Sequence, residues 1–347
     1  MTFEVLSCPY CGAPLPPRAV RGVTVCGYCE RALVPNGSGG YSAARLDLDL
    51  SREPLGGPWQ GDGAPRVTVK AHRFVVLGRL ATGDGCDVFL GRTESRLAEM
   101  VVLKVLRADA DEAHLTRGWR AVERLGDSEA QGAEFFGRLL PQPVTFGGIK
   151  EHGGRPCAVY RWRSGFVHTF DDVFRAHPDG VDGQTAVWMW KRALELLGWV
   201  HRSGWVHGGV LPPHLLVHAR DHGVTLVGWG AATRNAVEGA RESLPVTSAS
   251  HAAYYPEDLW RGRPATVADD LTMTARCVLR ALGGDPSKGT IPDALPAPLR
   301  AQLELYLDPT ARARTDDAWA LKDHVGAAGK AAWGPPRYHP FRMPGWD

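Results

Sequence analysis

The sequence contains no apolar run approaching the ~20 residues that a membrane-spanning helix requires. It opens "MTFEVLSCPYC", without a basic segment followed by an apolar one, so no secretion signal is expected. A strong charge bias is also absent. The net charge is +2 and the isoelectric point is near 8.2, too little to draw the chain to nucleic acid or an anionic membrane by itself. There is no internal repeat and no long charge run. Cysteine is scarce, seven in 347 residues, and the count is odd. Four of the seven form two C-x-x-C pairs, while Cys86, Cys157 and Cys277 stand alone. That distribution argues against a disulfide framework and for metal in a reducing compartment, so a cytoplasmic location is expected.

What remains is ordinary globular material, 44% hydrophobic and 22% charged. Composition divides it into four parts. Residues 1–34 hold the paired cysteines. Residues 35–70 are rich in Gly, Pro and Ser ("PNGSGG", "EPLGGPWQGDGAP") and read as a linker. Residues 71–328 are dense and periodic, and 329–347 form a Pro/aromatic extended tail with Trp333, Tyr338, Phe341 and Trp346.

Within the dense part, "FVVLG" (74–78), "CDVFLG" (86–91) and "MVVLKVL" (100–106) predict strands, with more near 142–147 and 157–162. A helix is predicted at 112–125. Longer helices follow at 184–204, 269–284 and 315–329. In the first of these, Val187, Trp190, Leu194, Leu197 and Val200 share one face. A strand-rich half followed by a helix-rich half predicts an α+β fold of two lobes with a cleft between them.

"CPYC" and "CGYC" place Cys8, Cys11, Cys26 and Cys29 as two pairs with 14 residues between them. Each pair puts two thiolates on one tight turn, and four thiolates complete a tetrahedral zinc shell. An all-cysteine shell leaves no open position, so the zinc is expected to be structural and to fold a segment too small for a core of its own. A short hairpin turning at Gly22 is expected between the pairs. The segment resembles a zinc ribbon. Arg18, Arg21 and Arg31 around it are its only basic feature.

The dense part, read in order, resembles a protein kinase. "LATGDGCDVFLG" (80–91) stands where kinases carry the glycine loop over the phosphates, and keeps Gly83 with an extra Gly85. "VVLKV" places Lys104 in the third strand and "WRAVERL" places Glu123 on the next helix. In the family these two residues pair and the lysine holds phosphates. "WVHGGVLPPHLLV" (205–217) lines up with the catalytic loop, keeping His207. The base aspartate becomes Gly209, the metal-binding asparagine becomes His214, and the nearby lysine becomes Leu211. In "VTLVGWG" (224–230), Gly228 stands in the place of the metal-binding aspartate, with Trp229 and Gly230 after it. Glu257 in "YYPE", Asp270 and Arg312 match residues that brace the family's fold.

The resemblance therefore implies a bilobal kinase-like domain, β-rich then α-rich, that keeps its framework and lacks its chemistry. Glycine neither accepts a proton nor ligates Mg²⁺, which takes oxygen ligands. Loss of a general base alone costs ~10²–10⁴-fold. His214 is expected to pack or hydrogen-bond within its loop. ATP is the ligand the resemblance would bring, to Lys104, Glu123, Gly83 and Gly85. The altered glycine loop and the missing metal ligands count against it. The expected function is a catalytically inactive kinase-like (pseudokinase) scaffold or regulatory adaptor that contacts protein partners. Two alternatives stay open. One is an atypical ATP-dependent phosphotransferase or nucleotidyltransferase using a displaced acid such as Asp84, Asp87 or Asp221. The other is a zinc-ribbon adaptor for nucleic acid, the partner that the near-neutral composition favours least.

Overall fold

The apolar runs in "RVTV", "HRFVVLG", "CDVFLG" and "MVVLKVL" are buried by closing a sheet on itself. The computed structural model describes residues 7–8, 12–14, 24–25, 28, 32–35, 41–42, 65–107, 110–235, 242–308, 311 and 313–343. They fall into two compact units, 1–119 with 141–167 and 344–347, and 120–140 with 168–343.

The first unit opens with a small antiparallel sheet, β1 (Thr24–Val25), β2 (Ala32–Pro35) and β3 (Tyr41–Ser42). Before it, Cys8 is buried in a tight turn, its N–H donating to the Ala13 carbonyl and its carbonyl accepting from Gly12. Cys11, Cys26 and Cys29 lie outside the described residues, as does the hairpin expected at Gly22.

Six strands then form a closed barrel in the order β4-β5-β6-β7-β9-β8. They are β4 (Arg66–Val69), β5 (His72–Thr82), β6 (Cys86–Thr93), β7 (Met100–Leu106), β8 (Gln142–Ile149) and β9 (Arg155–Arg161). Inside are Val67, Phe74, Val76, Phe89, Val101, Leu103, Val105, Ile149, Cys157 and Val159. Burying each such side chain is worth ~1.5–3 kcal/mol, which is what holds the short strands. The expected linker thus ends earlier than residue 70. Residues 66–69 alternate exposed and buried, and Val67 and Val69 belong to the barrel core. Helix α1 (Glu112–Gly126) lays Leu115 and Trp119 over Cys86, Leu106 and Ala158 on the outside of the barrel.

The second unit is mainly helical. Its elements are α2 (Ala133–Phe136), β10 (Phe166–Thr169, shared with the first unit), α3 (Phe170–Ala176), α4 (Gly183–Arg202), β11 (Trp205–Val206), β12 (Leu215–His218), β13 (Gly223–Leu226), β14 (Thr233–Arg234), α5 (Glu257–Trp260), α6 (Val267–Ala281), α7 (Ala297–Leu307) and α8 (Ala318–Trp333). Helix α4 starts at Asp182, whose carboxylate accepts from the Thr185 N–H at 2.9 Å. It then buries Trp190, Leu194, Leu197 and Val200 of the face that the apolar spacing predicts, while Val187 of that face is half-buried. Helix α6 starts in a capping box between Thr266 and Asp269, which leaves Asp270, one residue on, free to point elsewhere. Helix α8 runs on to Trp333, past residue 329 where the tail was expected to begin. Gly329 lies inside it, where a β-carbon would meet Val187 of α4 at 3.5 Å, an ordinary contact.

Candidate functional site

The site in the second unit grows out of the β12–β13 hairpin. Its strands pair Leu215 with Leu226 and His218 with Gly223. The ladder extends one step further, where the Val227 N–H donates to the His214 carbonyl at 2.9 Å. This register brings position 214 beside position 228, though thirteen residues lie between them.

At their junction stands the imidazole ring of His214. The His214 Nδ1 lies 2.7 Å from the Gly209 carbonyl oxygen, which fixes the imidazole inside the loop. Gly228 has φ +81°, a left-handed backbone. A β-carbon built there would fall well under 3.0 Å from the Cγ, Cδ2 and Nε2 atoms of His214. No side chain fits at 228 while His214 keeps its place. Gly208 is closed in the same way, by Leu244 and the Ala231 carbonyl, at φ +67°. Gly209 differs. A β-carbon there meets only ordinary contacts, at 3.5 Å from Ala231 Cβ and 3.7 Å from His214 Nδ1.

The frame around these glycines is tightly bonded. Asp270 is wholly buried, and its carboxylate accepts from the N–H groups of His207 and Gly208 at 2.8 Å each. It also accepts from His201 Nε2 at 2.9 Å. A carboxylate is an acceptor only, so His201 carries its proton on Nε2. His207 is fully buried, with Nε2 3.1 Å from the Val227 carbonyl and Nδ1 accepting the Gly209 N–H at 3.2 Å. That pattern fixes a proton on Nε2 here too. Trp229 closes the group, edge-on to His207 at 4.5 Å, its indole N–H donating to Leu226. The expected framework residues His207, Trp229 and Asp270 are therefore in mutual contact or one residue removed from it. Glu257 is exposed at the start of α5 and pairs with Arg261, while Arg312 lies outside the described residues.

The first unit holds Lys104 and the glycine turn, while Glu123 belongs to the second unit. Lys104 lies on a central strand, opposite Val88 and Ala158, half-buried on the outer face of the barrel. Burial, and after it the Lys104 charge, pushes the His114 imidazole down to about 4, so it is neutral at pH 7. Burial raises the Cys86 thiol, with Lys104 opposing. Glu123 lies on the exposed side of α1. The glycine turn spans three residues between β5 and β6. The Gly83 N–H is committed to the Cys86 carbonyl at 2.8 Å, and the Gly85 carbonyl accepts from the Arg107 N–H at 3.0 Å. A phosphate cradle needs such N–H groups free.

The acids considered as replacements are engaged. Asp87 is buried, 3.7 Å from the Arg107 guanidinium. Asp84 is exposed on the glycine turn and has a partner. Asp221 pairs with Arg220 at 3.1 Å and His218 at 3.2 Å, at the closed end of the hairpin. Four extended residues, about 13 Å, separate it from the His214 end. Among the described residues no group of three or more His, Cys, Asp or Glu is placed to hold a metal ion. No helix among them is long and apolar enough to cross a membrane.

Sequence reasoning missed the fit of the His214 ring to Gly228 and the His201–Asp270 bond. The signal for the first was a gain of bulk at 214 with a loss of bulk at 228, visible only once the hairpin register is known.

No protein-family model matches the chain, and no curated protein matches it in sequence. Among solved structures it is similar to that of vaccinia related kinase 3, with a TM-score of 0.61 and 16% sequence identity over 82% of this chain and 97% of that one. At that identity the likeness speaks to fold. Together with the six-stranded barrel, the helical unit and the Asp270-braced loop, it shows that the chain has a protein kinase-like fold.

Proposed function

We propose that the chain is a catalytically inactive kinase-like scaffold, a pseudokinase, that acts through protein partners. One observation carries this reading: the space that a side chain at 228 would need is filled by the His214 imidazole. A carboxylate at that position is the principal metal ligand of protein kinases. Here it is absent from the sequence and excluded by the packing. Gly209 removes the proton acceptor as well, and the committed N–H of Gly83 counts against phosphate binding. Loss of charge neutralisation and of the base together removes what phosphoryl transfer depends on.

Beside it, the four-cysteine segment is proposed to bind one structural zinc. The buried Cys8 in its tight turn and the all-thiol donor set support this. The zinc would fold the leading segment and supply no chemistry. We place the protein in the cytoplasm on its cysteine usage.

The test is incubation with radiolabelled ATP, Mg²⁺ or Mn²⁺ and generic protein substrates. No transfer above background is expected. Robust transfer that Lys104→Ala abolishes would overturn the reading in favour of an atypical phosphotransferase.

A further inference from the structure

The residues after α8 do not leave the surface. The segment "PPRYHPFRM" (335–343) lies against the second unit. The Tyr338 ring stacks on His222 at 4.7 Å, and His222 also stacks on Trp188 at 4.3 Å and 4°. The Tyr338 hydroxyl donates to the Arg220 carbonyl at 3.0 Å. Phe341 meets Trp188 edge-on at 5.9 Å and lies over His177 at 5.5 Å. Phe341 and Met343 are buried while Arg342 between them is exposed, the period of an extended strand.

The receiving surface is built in advance. His222 sits in the turn of the β12–β13 hairpin at φ +51°, a conformation histidine adopts more readily than most residues. The Arg192 guanidinium holds its carbonyl at 3.2 Å. Trp188 comes from α4 and His177 follows α3, so three elements converge on one groove. The occupant is suited to release. Three prolines hold it near extended geometry at little entropic cost. Its anchors are few, and Tyr338 is still 63% exposed.

We propose that the groove of Trp188, His222 and His177 is a peptide-docking site for extended Tyr-x-x-Phe-x-Met segments, held closed by the chain's own copy until a partner with a like segment displaces it. This deepens the scaffold reading, on which it rests, by naming the chemistry of the partner.

The probe is a fluorescein-labelled peptide PPRYHPFRM, followed by fluorescence anisotropy. The proteins are the full chain and its Tyr338→Ala/Phe341→Ala variant, whose groove is no longer covered. The peptide is expected to bind the variant at least about tenfold more tightly than the wild type. Adding Trp188→Ala to the variant should abolish binding, as should replacing the peptide's own Tyr and Phe by Ala. Equal affinity for both proteins, or no binding to a variant with native circular dichroism, overturns the proposal. Should the variant not fold, wild-type protein with excess unlabelled PPQYHPFQM, which keeps the Tyr-x-x-Phe-x-Met pattern and has no trypsin site, decides. Trypsin must then cut at Arg337 and Arg342 faster than without peptide, and an unchanged rate overturns the proposal. A wild-type dimer lost on Tyr338→Ala would place the segment on a second copy and equally overturn closure within one chain. Phosphotransfer is measured on the same samples. Failure of peptide binding leaves catalytic inactivity standing, and phosphotransfer would remove the scaffold reading without touching the groove.

Discussion

Gly228→Asp is the substitution that most directly probes the His214 ring packed against position 228. Three costs add. A side chain in a left-handed backbone costs about 1–2 kcal/mol. Forcing extra atoms into a filled space costs about 1–3 kcal/mol. Displacing His214 from the Gly209 carbonyl gives up a hydrogen bond worth about 0.5–1.5 kcal/mol. Together they predict a loss of roughly 4 kcal/mol. At about 2–4 °C per kcal/mol for a unit of this size, the melting temperature should fall by roughly 8–16 °C. The informative comparison uses His214→Ala as a second background. With the ring gone, only the backbone cost remains, so Gly228→Asp should cost about 1–2 kcal/mol there. Melts of the four proteins by circular dichroism give a coupling of roughly 2–3 kcal/mol. An equal cost for Gly228→Asp in both backgrounds would show that His214 does not occupy the space, and the reasoning on the metal position would fail with it.

Four further outcomes follow from the same geometry. Gly209→Asp, where a β-carbon meets nothing closer than 3.5 Å, should shift the melting temperature by less than about 2 °C and restore no phosphotransfer by itself. Asp270→Ala strands two backbone N–H groups and the His201 N–H in a buried site, for a loss of about 3–5 kcal/mol measurable by urea unfolding. Burial holds His114 and His168 at about 4, below the free imidazole value. The folded state thus binds fewer protons than the unfolded one between about pH 6.5 and 4. Stability is complete above 6.5 and falls as pH drops through that window, and a pH series of melts on His168→Phe should show a shallower fall. Mass spectrometry of metal content should find one zinc per chain, lost in Cys8→Ser/Cys11→Ser.

Much of this site is legible in the residues themselves. Glycine at 209 and 228 and histidine at 214 are read directly as positions without a carboxylate, and Asp270 announces its place by following the helix-capping aspartate. The hairpin partner of each position is not written locally. Residues 214 and 228 meet through the register of β12 with β13, which the neighbours of both strands set. Strand β4 was hidden for a similar reason. Val67, Thr68 and Val69 are strand formers by type, but a run of four after a Gly/Pro-rich stretch is too short to stand out, and pairing with Phe74 and Val75 makes it a strand. Gly329 misleads in the other direction, since a glycine in the interior of α8 reads as a helix end. The docking of Tyr338 and Phe341 depends on Trp188 and His222, more than a hundred residues earlier, and no local pattern announces it.

The barrel closes through a short seam. Strand β4 meets β8 at a single bridge, Val69 with Ile149, reinforced where the Glu151 carboxylate receives the Thr68 N–H at 2.7 Å and hydroxyl at 2.6 Å. Tension applied to the chain ahead of Pro65 therefore arrives at the strand with the fewest ties on that side. β4 would unzip from β8 first and leave the other five strands paired, so mechanical load from the leading segment would be absorbed by one detachable stave of the barrel.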